Sequence, residues 1–176
     1  FGDAASYLTS RKSEASVVDV ARQSRRLDGA LLEASVLKVR ENLHVLCAPE
    51  LPYQLEEVTP ETVAAILGLA RTEYDFVLLD MARTMSPAVV KALDLAERIH
   101  VVTGQNLPAL QDARRIIAVF EGLDYTREKI QLVLNRFTKS SQIPLGEVEL
   151  ATGYKVARVM PASDDAVLAS INQGIP

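Results

Sequence analysis

The chain has 176 residues, 48% of them hydrophobic and 24% charged, and a formal net charge of −4. Those values exclude a disordered chain and leave room for one domain with a sizeable core. The acidic balance argues against broad attraction to nucleic acid, and no apolar run approaches the roughly 20 residues of a membrane span.

In chain order, residues 1–15 lack sustained periodicity and read as a loop with one turn. Ser16 is placed to cap a short helix carrying Val17, Val20 and Ala21, with Asp19 in its first turn. Leu27 to Val39 read as a second helical piece, with Arg25 and Arg26 solvated before it. Asn42 to Pro49 read as a short strand stopped by proline. Cys47, the single cysteine, allows no intrachain disulfide and is expected as a small buried hydrophobe in a cytoplasmic protein. His44 has no ligand partners at useful spacing and is expected to be structural. Thr59 and Pro60 then open a helix with Val63, Ile66, Leu67 and Ala70 on one face.

The stretch Tyr74 to Pro87 organises what surrounds it. Phe76 to Leu79 form an unbroken apolar run, the pattern of a strand covered on both faces in a parallel sheet. It stops at a single carboxylate, Asp80, and Ser86-Pro87 give a helix-start signal soon after. Val89, Val90 and Leu93 mark the helix that follows. Ile99 to Thr103 predict the next buried strand. Leu107 to Phe120 predict a helix with Leu110, Ala113, Ile117 and Phe120 inward and Arg114-Arg115 outward.

Ile130 to Leu134 make a further strand ending at Asn135-Arg136-Phe137. Thr138 to Ile143 are polar and expected to be mobile. Pro144 to Thr152 predict a short helix stopped by Gly153. Val156 to Met160 supply the last strand, cut off by Pro161. Ser163 caps a final helix with Val167, Leu168 and Ile171 inward. Alternating strands and helices predict an α/β fold: a doubly wound, mainly parallel sheet with helices on both faces.

In such a sheet the strand C-termini open onto one edge, where ligands bind. Four features are expected to gather there: Asp80, the turn at Thr103-Gly104-Gln105, Asn135-Arg136, and Pro161-Ala162-Ser163. A lone Asp at a strand end suits Mg²⁺ held through water, because that ion prefers oxygen ligands and keeps its hydration. An Asn amide, donor and acceptor together, matches a purine edge. The helix start at Ser163 offers free backbone N–H groups. None of the lysines follows a glycine, so no Gly-Lys-Ser/Thr loop is present to cradle phosphates, and these residues alone are not expected to bind or hydrolyse ATP well.

With those features in order, the chain resembles the MinD/ParA group of P-loop ATPases, and most nearly its pilus-assembly branch, CpaE or TadZ. The strings that carry the resemblance are FGDAASYL, YDFVLLD, AERIHVVTGQNLPALQDARRI, LVLNRF and VARVMPASDDAVLASINQGIP, in the family's order. The resemblance implies a single domain over residues 1–176, incomplete at its N-terminus, where the Walker A strand and loop would precede Phe1, and also at its C-terminus. It implies that Asp80 is the Walker B acid, holding Mg²⁺ through water, and that Asn135 contacts the base. Pro161 and Ala162 would lie against adenine through their backbone. ATP and Mg²⁺ are the implied cofactors, and a homodimer acting with pilus or secretion assembly proteins at the inner membrane or cell pole is the implied assembly. Met81-Ala82-Arg83 depart from the small Pro-Ala-Gly run of MinD itself, which fits the pilus branch better than a MinD-like switch.

Other readings stay open. One is a nucleotide-independent scaffold of the same fold. Another is a phospho-receiver with Asp80 as acceptor. Against it stand the missing acidic pair after an earlier strand, the absence of a lysine after Leu134, and a length beyond the ~120 residues such a domain needs. DNA contact through Arg114, Arg115 or Arg25-Arg26 is the last, weakened by the acidic balance and by 5% aromatics without tryptophan.

Overall fold

The computed structural model describes residues 4–81 and 84–174. They form two compact units, one of residues up to Leu95 together with Ala166 onward, the other Ala96–Asp165.

The first unit is mostly helical. Helix α1 spans Ala4–Leu8 and α2 spans Val17–Arg22. Asp19 accepts from the Ser16 backbone at 2.8 Å and from its hydroxyl at 2.7 Å, which anchors the start of α2. Helix α3 is Gly29–Ser35, capped by the Asp28 side chain on the Leu31 N–H. The helix expected through Val39 therefore stops early. From Leu37 the apolar residues alternate with Lys38 and Arg40, a two-residue period, and the chain becomes strand β1, Leu37–Arg40. It pairs antiparallel with β2, Leu43–Val45, a shorter strand than expected. Cys47 is only half-buried.

Helix α4, Pro60–Glu73, starts where the sequence places it, with the Thr59 hydroxyl accepting from the Thr62 N–H. Ile66, Leu67 and Ala70 are buried, and Val63 is half-buried. Helix α5, Pro87–Leu95, packs on α4 and buries Ala92 and Leu93. Its start is held by the Ser86 hydroxyl on the Val89 N–H. With Val18, Val20 and Leu32 these side chains form the unit's core.

Between α4 and α5 the expected central strand is not formed. Phe76 to Asp80 lie outside any strand and pair with none among the described residues. Phe76 is 87% exposed and Leu78 is 91% exposed. The run has strand chemistry but lacks a partner for its backbone N–H and C=O groups, which is what makes a strand.

The second unit holds the parallel sheet, in the order β3-β4-β5: Ile99–Thr103, Ile130–Phe137 and Val156–Pro161. Ile99 pairs with Ile130, Thr103 with Leu134, and Leu132 with Val156. Helix α6, Leu107–Gly122, and helix α7, Leu145–Thr152, pack together and against this sheet. Leu110, Ala113, Ile117 and Phe120 are buried as their spacing predicts, as are Ile99, Val101, Ile130, Leu132 and Leu134 of the sheet. Helix α7 ends at Gly153, whose φ of 74° takes the left-handed cap that glycine adopts without strain.

The α/β class with a parallel sheet flanked by helices is thus present. Burial alternates along β3, however, with His100 and Val102 exposed, so within this unit helices cover one face of the sheet.

The last helix, α8, runs Asp164–Gln173. Val167 and Leu168, expected inward, are both more than half exposed, and Ile171 is half-buried. Their spacing is that of a buried face, but Val167 and Ile171 line only an open hollow with Tyr7 and Leu8.

Candidate functional site

Because β3, β4 and β5 are parallel, their C-terminal ends share one edge of the second unit. Three of the four predicted features meet there. At the end of β3 the Thr103 hydroxyl donates to the Ala109 carbonyl at 3.0 Å, fixing the start of α6, which the Asn106 side chain caps. Gln105 reaches across. Its Oε1 accepts from the Thr138 N–H at 2.8 Å and its Nε2 donates to the Ile143 carbonyl at 2.9 Å. The Thr138–Ile143 segment, expected to be mobile, is held at both ends by this one side chain. A polar loop sequence carries no record of a partner more than thirty residues away.

At the end of β4, Asn135 and Arg136 are exposed. The Asn135 Oδ1 accepts the Arg136 N–H at 2.9 Å, and Arg136 adopts a φ of 53°. The Arg136 guanidinium donates to Asp164 Oδ2 at 2.5 Å, at the start of α8. The Ala162 N–H donates to the Phe137 carbonyl at 3.1 Å, so Pro161-Ala162 lie alongside Phe137. Asn135, Pro161 and Ala162 therefore lie on adjacent strand ends. Gln105 and Asp164 belong to the same rim. The sequence places Gln105 in the rim turn and Asp164 in the first turn of the last helix, but neither the loop bracket nor the ion pair with Arg136 is legible in it.

Asp80, the fourth feature, lies in the first unit at the end of the unpaired Phe76–Leu79 run. It is exposed and makes no hydrogen bond or ion pair among the described residues. The structure does not place it on a strand end. Ala82 and Arg83, which carry most of the departure from Pro-Ala-Gly, lie outside the described residues. Among the described residues no group of three or more His, Cys, Asp or Glu could hold a metal ion. A single exposed carboxylate still suits Mg²⁺, which retains most of its waters.

Two further clusters are structural. In the second unit the Tyr154 hydroxyl donates to Glu121 at 2.9 Å, and the Arg127 guanidinium lies 4.0 Å from the ring centre. Burial first, then the Glu121 carboxylate, pushes the Tyr154 phenol above its usual range. In the first unit a cavity of about 190 Å³ is lined by Leu32, Glu33, His44, Glu73 and Tyr74. His44 Nδ1 sits 2.9 Å from the Tyr74 hydroxyl, and the rings meet edge-on, as fits a packing histidine. Burial, with Glu33 and Glu73 beyond it, raises the Tyr74 phenol.

Parallel strands whose C-terminal ends carry polar turns make the kind of edge at which open α/β sheets bind ligands. The likenesses go further. The chain is 29% identical over 165 residues to the septum site-determining protein MinD of Thermotoga maritima, covering 91% of this chain and 59% of that protein. To a protein described as a putative MinD from Tupiella akineta it is 24% identical, over 91% of this chain and 52% of the relative. Among solved structures, a ParA family ATPase from Chlorobium tepidum matches with a TM-score of 0.92 and 25% identity, over 99% of this chain and 72% of that one. MinD of Pyrococcus horikoshii, complexed with Mg-ADP, matches with a TM-score of 0.77 and 18% identity, over 100% of this chain and 70% of that one. No family model matches. The chain spans between half and three-fifths of the length of these two curated relatives. The MinD relatives and the ParA-family structure are what this chain is similar to, and the structural likeness shows a shared α/β fold.

Proposed function

We propose that the residues described here are part of a single MinD/ParA-like ATPase domain that binds MgATP and works as a dimeric positioning switch. Its first strand and phosphate loop would precede Phe1, and the domain would continue past Pro176. The observation that carries the reading is the rim of the second unit, where Asn135 stands beside the Pro161-Ala162 backbone at the C-terminal edge of a parallel sheet. Asn135 would read the edge of the base, and the backbone at Pro161 and Ala162 would lie against its plane. Asp80 would hold Mg²⁺ through a water molecule, as a single carboxylate can when phosphates complete the coordination.

The reading of a longer domain draws support from the Phe76–Leu79 run, whose exposed apolar side chains call for a covering strand. Bound ATP would supply the phosphoryl group whose loss resets such a switch. The chain's own residues orient the base and the metal, and no phosphate loop lies within the 176 residues.

The finer role we infer is that of the CpaE/TadZ branch: a protein that places a type IV (Flp/Tad) pilus or secretion apparatus, cytoplasmic and peripheral at the inner membrane or cell pole, with assembly proteins as partners. The support is the string-by-string resemblance. In addition, no helix among the described residues is long and apolar enough to cross a membrane.

Titration of the full-length protein with ATP, with and without Mg²⁺, tests the ATPase reading. Saturable, Mg²⁺-dependent binding that Asp80→Asn weakens is expected. Absence of saturable binding would replace the switch with the second reading, a nucleotide-independent scaffold of the same fold.

A further inference from the structure

Strand β4 advances from Leu134 to Phe137 while β5 advances only from Val159 to Pro161, so β4 carries one extra residue at Asn135-Arg136. Such bulges re-aim a side chain at the end of a strand. Here the bulge places Arg136 at φ 53°, a conformation ordinarily left to Gly or Asn. Three contacts hold it: Asn135 Oδ1 on the Arg136 N–H, Asp164 on the guanidinium, and the Ala162 N–H on the Phe137 carbonyl.

The Arg136–Asp164 pair is 69% and 62% exposed at its two side chains, which makes it a weak device for stability. Its effect is on geometry. A backbone N–H facing Oδ1 settles which way the Asn135 amide points, with oxygen toward the bulge and nitrogen away from it. Oδ1 keeps its second lone pair. An amide fixed in that orientation can donate from Nδ2 to N7 of adenine and accept from the N6 amino group, the bidentate match of Asn to adenine. Guanine presents an acceptor at both positions, and the amide carbonyl would then face another oxygen.

Resting on the nucleotide-binding reading above, we propose that Arg136 and Asp164 are the positioning pair that makes the base site select adenine over guanine. Neither touches the base. Arg136 holds the bulge, and Asp164 holds Arg136.

The experiment measures dissociation constants for MgATP and MgGTP on the full-length protein, its Arg136→Ala and Asp164→Asn variants, and the charge-exchanged Arg136→Asp/Asp164→Arg double variant. The ratio of the GTP constant to the ATP constant is expected to fall about tenfold, toward one, in each single variant. It should recover in the exchanged pair, and the apparent Tm should stay unchanged throughout. A wild-type ratio near one would overturn the proposal, as would single variants that keep the wild-type ratio. Parallel weakening of both nucleotides would likewise overturn it, because that is the mark of a merely structural pair. Wild-type protein that binds neither nucleotide would instead remove the reading beneath it.

Discussion

Two apolar runs in this molecule have nearly the same composition and opposite fates. Ile130 to Leu134 alternate Ile, Leu and Leu into the core of the second unit, and Leu132 and Leu134 are fully buried between β3 and β5. Phe76 to Leu79 leave Phe76 and Leu78 in solvent. Residue chemistry does not separate them. The first run has a strand on each side and helices α6 and α7 over one face, whereas the second has no paired neighbour among the described residues. A strand's own sequence encodes its willingness to pair, and the pairing itself belongs to the partner.

The sharpest way to break that comparison is to truncate a leucine in each run. Leu132→Ala removes a side chain with no solvent exposure, and urea unfolding of this 176-residue chain is expected to show a loss of about 3 kcal/mol. Leu78→Ala, at 91% exposure, is expected to stay within about 0.5 kcal/mol. In the full-length protein the same Leu78→Ala change should cost about 2 kcal/mol or more if a preceding strand covers the run. Equal, small effects of Leu78→Ala in both lengths would refute the proposed longer domain.

A second test asks how strictly the well-packed unit depends on backbone geometry. Gly153 ends α7 at φ 74°, and nothing lies within 4 Å of where a Cβ would stand. Space is therefore not the obstacle. Gly153→Ala should cost about 1 kcal/mol through left-handed strain alone, read as a shift of the urea midpoint with unchanged m-value. The same substitution at Gly122, a helical position with open space around it, should be neutral or stabilising.

What could be read in the sequence follows the same division. Elements whose signals are local were legible: Thr59-Pro60 and Ser86-Pro87 as helix starts, Gly153 as a stop, the four inward residues of α6, and the strands of the second unit. Elements that depend on distant partners were not. The helix read through Val39 missed the change from a helical to a two-residue period at Leu37, which a shorter window would have detected. Val167 and Leu168 carry an inward pattern but stay more than half exposed.

At the rim, Asn135, Pro161 and Ala162 were legible because parallel strands bring their ends to one edge. Asp80 was placed on that edge by a strand that does not form here. Gln105 and Arg136 were placed on the rim too, but the contacts that they and Asp164 make were not legible, since a loop bracket, a positive φ and an exposed ion pair leave no periodic trace.

The smallest predicted effects lie in the first unit, at helix starts, and they separate two kinds of cap. Thr59→Ala removes the hydroxyl that accepts from Thr62, and that also helps, after a backbone hydrogen bond, to hold the Glu61 carboxyl below its ordinary value; it should cost about 1 kcal/mol at pH 7. The start of α2 is different because its anchor is titratable. Hydrogen bonds from the Ser16 hydroxyl and then the Ser16 N–H hold the Asp19 carboxyl below its ordinary value, with the Arg22 charge adding to them. A carboxyl depressed in the folded state contributes its stability above the unfolded value near 3.8, and that contribution fades as pH falls through the lower folded value. The Asp19 side chain is 46% exposed, so the contribution is screened and small. Asp19→Asn should therefore lower stability slightly at pH 7 and flatten the stability profile below pH ~4, while Thr59→Ala should lower the whole profile and remove from its acid limb only the share that the Thr59 hydroxyl gives to Glu61. An Asp19→Asn profile that keeps the wild-type shape would mean that the charge on Asp19 contributes nothing to α2 beyond the geometry of its hydrogen bonds.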